Sequence, residues 1–316
     1  MNILITGGAG FLGQRLAKYL LTSPVFGPQI KSLTLADIVA PPHPHQDDRI
    51  RSLQADLTDP QATAALIDSE LTAVYHLAAV VSGQAEANFD LGMAVNCDGT
   101  RHLLEAVRHR APGAMFIFAS SLAVFGGSLP AVITENTALT PLSSYGTQKA
   151  ITELWVNDYT RKGFIDGRIL RLPTVCVRPG KPNAATSSFV SSIIREPLKG
   201  ETAICPVETT LPLWLSSPST VTSNLAHALT IPADKFGHTR TLNLPGITVT
   251  VQSILDALAE VAGASALAHV QYQPDDTISR IVASWPSQFD VDQAVRLGFT
   301  RDQAFTDIVR AFITES

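Results

Sequence analysis

Short apolar runs of strand length alternate with longer stretches of helical period through the first half of the chain. The runs are NILIT, SLTLAD, RSLQAD, AVYHLAA, AMFIFASS and GRILRLPTV, and between them lie FLGQRLAKYLL, one long stretch from Glu86 to Arg110, and SYGTQKAITELWVNDYTRK. Strands that are apolar at nearly every position and separated by helices belong to a parallel sheet covered on both faces. The pattern predicts a doubly wound parallel α/β domain.

After about Val177 the texture changes to RPGKPNAATSS and the alternation stops. Residues 1–177 are therefore expected to form the first domain. Residues 216–246 return to it through SSPSTVTSNLAHALTIP, with Ser219 or Thr220 as helix N-cap, and through the strand-like RTLNLPG. Residues 178–215 and 247–316 are expected to form a smaller C-terminal α/β cap, including TVQSILDALAEVAG and a last helix from Arg301 to Ile313. PPHPH at 41–45 sets His43 and His45 at a metal-like spacing, but an exposed Pro-rich loop accounts for the same residues, and no metal is predicted.

The stretch ILITGGAGFLG places three glycines directly behind a strand and at the head of a helix. In that context Gly7 permits a tight turn, Gly10 lets the backbone approach a pyrophosphate, and Gly13 lets the helix pack closely on the sheet. The free N–H groups of the helix start complete an anion site. This is the signature of a dinucleotide-binding Rossmann fold. The second strand should then end in an acid that binds the adenosine ribose, roughly 20 residues on, and Asp37 closes SLTLAD. A carboxylate there repels a 2′-phosphate and no arginine adjoins it, so NAD is expected over NADP. Asp56, in QADLTD, is placed either to face the adenine or to cap a helix.

Composition narrows the partners. The 316 residues are 45% hydrophobic and 16% charged, enough for a large core without metals or disulfides, and the net charge of −5 comes with no basic stripe. Neither nucleic acid nor membrane is indicated, and a small molecule is the expected partner. Cys97, Cys176 and Cys205 are odd in number and far apart, as reduced, buried thiols are. Met1 leads straight into a strand and no apolar run is long enough to span a bilayer, so a cytoplasmic protein is expected.

Tyr145 and Lys149 stand four apart on a predicted helix, which puts both on one face. A tyrosine of ordinary pKa, about 10, is a poor base at neutral pH. A neighbouring ammonium and a positive nicotinamide ring favour the phenolate and make it a usable general base. Ser121 ends a predicted core strand, where it can hydrogen-bond a substrate hydroxyl or carbonyl.

These residues resemble the extended short-chain dehydrogenase/reductase family, the group of nucleotide-sugar epimerases and dehydratases. TGGAGFLG, Asp37, the Asp56–Leu57 pair, HLAA, VNCDGT, the Ser121 strand, YGTQK and LRLPTVCVRPG occur in family order. The resemblance implies that Gly7, Gly10, Phe11, Leu12 and Gly13 hold the pyrophosphate of NAD, and that Ala78 lines the cofactor channel. It makes Ser121, Tyr145 and Lys149 the catalytic set and brings Pro173 and Val175 to the nicotinamide. Asn96 falls in the helix beside the site, as a cofactor neighbour or as a polar link between helix and loop. There are departures: Val124-Phe125-Gly126 stands where many members have VYG, and Leu122 stands where dehydratases carry an acidic pair. Dehydration is therefore not expected.

Two activities remain, with a non-catalytic NAD-binding regulator as a third reading that the intact Ser121, Tyr145 and Lys149 argue against. A nucleotide-sugar epimerase must hold a diphosphate, and Arg178, Lys181, Arg195, Lys199 and Arg280 supply cations in the cap region. Yet RPGKPNAATSSFVSSIIREPLKG with LWLSSP resembles the subgroup that oxidises the C2 hydroxyl of small sugar acids, passing hydride to NAD. In that reading Ser82, in a short loop AVVSGQAEANFD, and Arg178 hold the substrate carboxylate, though Arg178 also reads as a structural ion-pair residue. Related enzymes pair two helices between subunits, which here points to 86–110 and 144–162 and a homodimer.

Overall fold

The computed structural model of the chain describes residues 1–43, 46–180, 185–237 and 239–315. Its strands are β1 (Asn2–Thr6), β2 (Ser32–Asp37), β3 (Ile50–Gln54), β4 (Ala73–His76), β5 (Met115–Ser121), β6 (Asp166–Leu172), β7 (Thr174–Val175), β8 (Ala203–Cys205), β9 (Pro212–Ser216), β10 (Thr241–Asn243), β11 (Ile247–Thr250) and β12 (Val270–Tyr272). Its helices are α1 (Phe11–Thr22), α2 (Pro60–Ala65), α3 (Ser82–Ala87), α4 (Phe89–Gly92), α5 (Thr100–Arg110), α6 (Ser144–Arg161), α7 (Ser188–Arg195), α8 (Pro218–His227), α9 (Val251–Ala262), α10 (Asp276–Ala283), α11 (Asp292–Arg296) and α12 (Phe305–Glu315).

Seven strands make one parallel sheet in the order β10-β6-β5-β4-β1-β2-β3. Alternate side chains of each strand feed opposite layers. Ile3 and Ile5 of β1 share a core with Leu16 and Leu20 of α1 and Leu225 of α8. Leu4, between them, shares the other core with Leu103 and Val107 of α5 and Val156 of α6. Each such side chain taken fully from water contributes roughly 1.5–3 kcal/mol, which is why the sheet carries a helix layer on each face. Chain order reverses between β1 and β4, and the crevice at that switch point is where open α/β sheets bind ligands.

The remaining strands form a β11-β9-β7 sheet and a β12-β8 pair. A separate core of Val190, Ile193, Leu215, Ile254, Leu258 and Ile308 joins them to α7, α9 and α12.

Four expectations are corrected. The stretch from Glu86 to Arg110 is not one helix: it breaks at Asn88, whose backbone is non-helical and whose side chain accepts the Leu91 N–H, and it passes through a π-helical segment, Met93–Gly99. Ser217, not Ser219 or Thr220, caps α8; its hydroxyl takes the Thr220 N–H at 3.1 Å and Pro218 occupies the first turn. AVVSGQAEANFD is not a loop but enters α3 at Ser82. Ala294, Leu297 and Phe299 pack into the first core and not the second, drawn there by the Asn224 amide, which bonds Thr300 N–H and C=O. His43 is exposed, while His45 and Lys181 lie outside the described residues. Among the described residues no helix is long and apolar enough to cross a membrane, and no group of three His, Cys, Asp or Glu is placed to hold a metal ion.

Candidate active site

The carboxyl ends of β1, β2, β4, β5 and β6 open on one cavity of about 820 Å³. At one end lies the glycine loop. Gly7 sits at φ +74°, and a Cβ on it would stand 2.7 Å from the Ala78 nitrogen; a Cβ on Gly13 would overlap the Gly7 carbonyl oxygen. The loop therefore folds flat between β4 and α1 only with these residues. Gly10 precedes α1 without a capping side chain, so the first-turn N–H groups of Phe11, Leu12 and Gly13 carry no side-chain partner on the cavity wall. That is a cradle for a pyrophosphate.

Asp37 ends β2 on the same cavity, and its Oδ2 accepts the Ala9 N–H at 3.0 Å. The loop tip thus holds the carboxylate where a ribose diol fits. Asp56 and Leu57 line the cavity beyond it. Asp56 Oδ1 binds the Thr58 N–H and hydroxyl, while the cap of α2 is Asp59. Ala78, Pro173 and Val175 line the middle of the cavity. The residues present fit NAD.

Asn96 does not line the cavity. Its Oδ1 accepts the Val80 N–H at 2.8 Å, and its Nδ2 donates to the Val80 carbonyl and to Gln148 Oε1. Its amide ties the strand-end segment to α6.

Ser121 ends β5 and its Oγ accepts the Ala123 N–H at 3.1 Å. The start of α6 is pinned twice, by the Ser143 hydroxyl on the Gly146 N–H and by Glu86 Oε2 on the Ser144 N–H. This fixes Tyr145 in the first turn, on the cavity wall. One turn on, Lys149 is 3% exposed; its Nζ donates to the Ala119 carbonyl at 2.9 Å and lies 5.7 Å from the Tyr145 ring centre. Burial brings the ammonium down to about 7 against the pull of Glu153. Burial also pushes the Tyr145 phenol up to about 12, opposed by a hydrogen bond with Ser121 and by the Arg178 charge. Lys149, brought down to about 7, is neutral at the pH where a phenol at about 12 titrates, so in this arrangement the opposition to burial comes from Ser121 and Arg178.

At the far end Arg178, half-buried, lines the cavity, and its Nη2 is buried with no hydrogen-bond partner among the described residues. Ser82 begins α3, and its Oγ accepts the Thr186 N–H at 3.0 Å, leaving the hydroxyl proton to donate. Of the other cap cations, Arg195 is buried against Glu196, and neither Lys199 nor Arg280 lines the cavity. Sequence reasoning missed Gln84 and Trp285, both on the wall. Trp285 follows α10 with no motif around it. It also missed Glu153, which binds Arg171 through both carboxylate oxygens and takes the Ser120 hydroxyl at 2.5 Å; its place four residues after Lys149 was the available signal.

A glycine cradle, a ribose-binding acid and a Ser-Tyr-Lys set around one cavity define a nicotinamide-dependent oxidoreductase. Residues 3–214 match the NAD dependent epimerase/dehydratase family, and the chain belongs to that family, with NAD as its cofactor. It is 51% identical over 313 residues to the D-erythronate dehydrogenase of Haemophilus influenzae, covering 99% of each chain. To the D-erythronate dehydrogenase of Cupriavidus necator it is 48% identical, over 100% of this chain and 99% of that one. A solved structure described as the nucleoside-diphosphate-sugar epimerase from Agrobacterium tumefaciens superposes with a TM-score of 0.91 at 40% identity, over 100% of this chain and 94% of that one.

Proposed function

We propose that this chain oxidises the C2 hydroxyl of a small sugar acid to a ketone, with D-erythronate giving 2-dehydro-D-erythronate as the preferred case. The observation that carries the reading is Arg178: a guanidinium whose Nη2 has no partner among the described residues, on the same cavity as Ser121 and Tyr145. It supplies a cation for the substrate carboxylate next to the pair that handles the hydroxyl. The names of the two full-length relatives support the same substrate.

In this reading the carboxylate binds Arg178 and the Ser82 hydroxyl, which sets C2 beside Tyr145. Ser121 holds the C2 oxygen and Tyr145 Oη takes its proton. Lys149, buried on α6 itself, supplies positive charge that grows as pH falls through about 7. Bound NAD supplies the acceptor for the C2 hydride.

The epimerase reading draws on the Agrobacterium structure. It is weakened because, of the cap cations described, Arg178 alone reaches the cavity, where a diphosphate calls for several donors. The purified protein given D-erythronate and NAD should form NADH and a 2-keto acid. No NADH there, with interconversion of a UDP-hexose, hands the site to the epimerase.

We also propose that residues 1–177 with 216–246, joined by the 292–300 segment, form the NAD-binding domain and that the rest of 178–316 forms the substrate cap, a division supported by the separate cores, with Cys176 and Val177 at the crossing already packed into the second. A cytoplasmic setting is supported by three free, buried cysteines. A homodimer through 86–110 and 144–162 is supported by Phe89 and Leu154, 57% and 65% exposed. Leu154→Glu should then give monomers in sedimentation velocity, and an unchanged dimer would move the interface elsewhere.

A further inference from the structure

Arg178 stands in neither strand nor helix, yet its main chain is gripped on both sides by α7. Ser191 Oγ accepts the Arg178 N–H at 3.0 Å, and Arg195 Nη1 donates to the Arg178 carbonyl at 2.7 Å. Ser191 and Arg195 are four residues apart, so they leave the helix on one face. Both are buried, at 1% and 2% exposed. Arg195 is held in turn, its Nη2 donating to Glu196 Oε1 at 2.5 Å and to Ser192 Oγ at 3.2 Å. Beneath them Val190, Ile193 and Ile194 anchor the helix in the second core.

We propose that Ser191 and Arg195 are positioning residues that aim the Arg178 guanidinium at the substrate carboxylate. The inference rests on the reading of Arg178 as carboxylate anchor. Arginine recognises a carboxylate through a planar fork of donors, and the fork is selective only if its base is fixed. A displacement of about 1 Å at a positioning group is enough to cost roughly a hundredfold. A loop residue has no strand or helix ladder to fix it, and here one face of α7 supplies both missing hydrogen bonds. Glu196 neutralises Arg195, so the clamp adds a donor beneath Arg178 without adding a second free cation for the substrate. This explains an arrangement otherwise unfavourable, two arginines in contact in a mostly buried place.

Ser191→Ala removes one jaw and leaves the Arg195–Glu196 pair intact; Arg195→Lys keeps the charge and loses the fork. In each, the KM for D-erythronate is expected to rise about tenfold, the size of one lost hydrogen bond. kcat and the KM for NAD should stay within about twofold, and Ser191→Thr should restore the wild-type KM. Placed in an Arg178→Met background, neither change should raise KM further. A further tenfold rise in that background, or a fall in kcat at unchanged KM in the single variants, overturns the proposal. Arg178→Met with a wild-type KM is a separate result: it removes the carboxylate anchor itself, and the clamp with it.

Discussion

Lys149 Nζ donates to the carbonyl of Ala119 at 2.9 Å, so the buried ammonium is tied to the strand that ends in Ser121 and not to the phenol one turn before it. Burial there brings Lys149 down to about 7, so it is neutral where the phenol titrates, and Ser121 and Arg178 are what oppose the burial that raises Tyr145 to about 12.

The first prediction follows from that phenol. A base of raised pKa is charged more often as pH climbs, so kcat/KM for the sugar acid should rise from about pH 7 to about pH 10. Ser121→Ala removes the hydrogen bond that lowers the phenol and should move the profile to higher pH. Tyr145→Phe should lower kcat by about 10² to 10⁴ with NAD binding nearly unchanged. Wild-type turnover in Tyr145→Phe would transfer the proton to another group.

Asp37 governs the choice of cofactor. It is held by the Ala9 N–H on the cavity wall, and seating a 2′-phosphate against a carboxylate is costly. NAD should exceed NADP in catalytic efficiency by more than about tenfold. Asp37→Ala should weaken NAD and narrow the ratio. Comparable efficiencies in the wild type would contradict the assignment.

The buried pair of Glu153 and Arg171 should be costly to break from one side only. The two side chains are 2% and 5% exposed and joined at 2.7 Å. Glu153→Gln leaves a buried guanidinium uncompensated and should remove about 3–5 kcal/mol of stability in urea unfolding. The double change Glu153→Met with Arg171→Met should recover much of that loss. If the double variant were as unstable as the sum of the singles, the ion pair would not be the source of the cost.

What the sequence made legible is local. The three glycines act within one turn, and Tyr145 and Lys149 meet because a helix brings residues four apart together. The seven-stranded sheet follows from apolar runs whose period needs no distant partner. The missed features depend on contacts across long separations. Trp285 reaches the cavity because the second core turns the chain after α10 toward it. Ala294 and Phe299 join the first core through Asn224, some seventy residues away in the chain. The amide partners of Asn96, Val80 and Gln148, are set by packing between segments far apart in the chain. Ser217 displaced Ser219 as a cap because Pro218 suits the first turn of α8, a signal that was present and misread by two residues.

The last prediction concerns His76, which closes β4 between two threonines. Its Nδ1 lies 2.7 Å from Thr6 Oγ1 and its Nε2 lies 2.8 Å from Thr100 Oγ1. The Thr100 hydroxyl already donates its proton to the Asn96 carbonyl, at 2.6 Å. Nε2 must therefore carry the ring proton, and Nδ1 accepts from Thr6. The neutral ring links the residue before the glycine loop to the first residue of α5. Burial, with Lys149 adding repulsion, lowers its pKa to about 3. In the unfolded chain the ring has its ordinary value near 6.5, so between these limits the unfolded state binds more protons. Stability is then complete above about 6.5 and declines as pH falls toward about 3. Between pH 7 and pH 5 this one group should account for about 2 kcal/mol. His76→Gln cannot titrate and should lose that portion of the pH dependence while being less stable at pH 7. Urea midpoints of both proteins at the two pH values measure it, and parallel slopes would show that His76 does not remain neutral on folding.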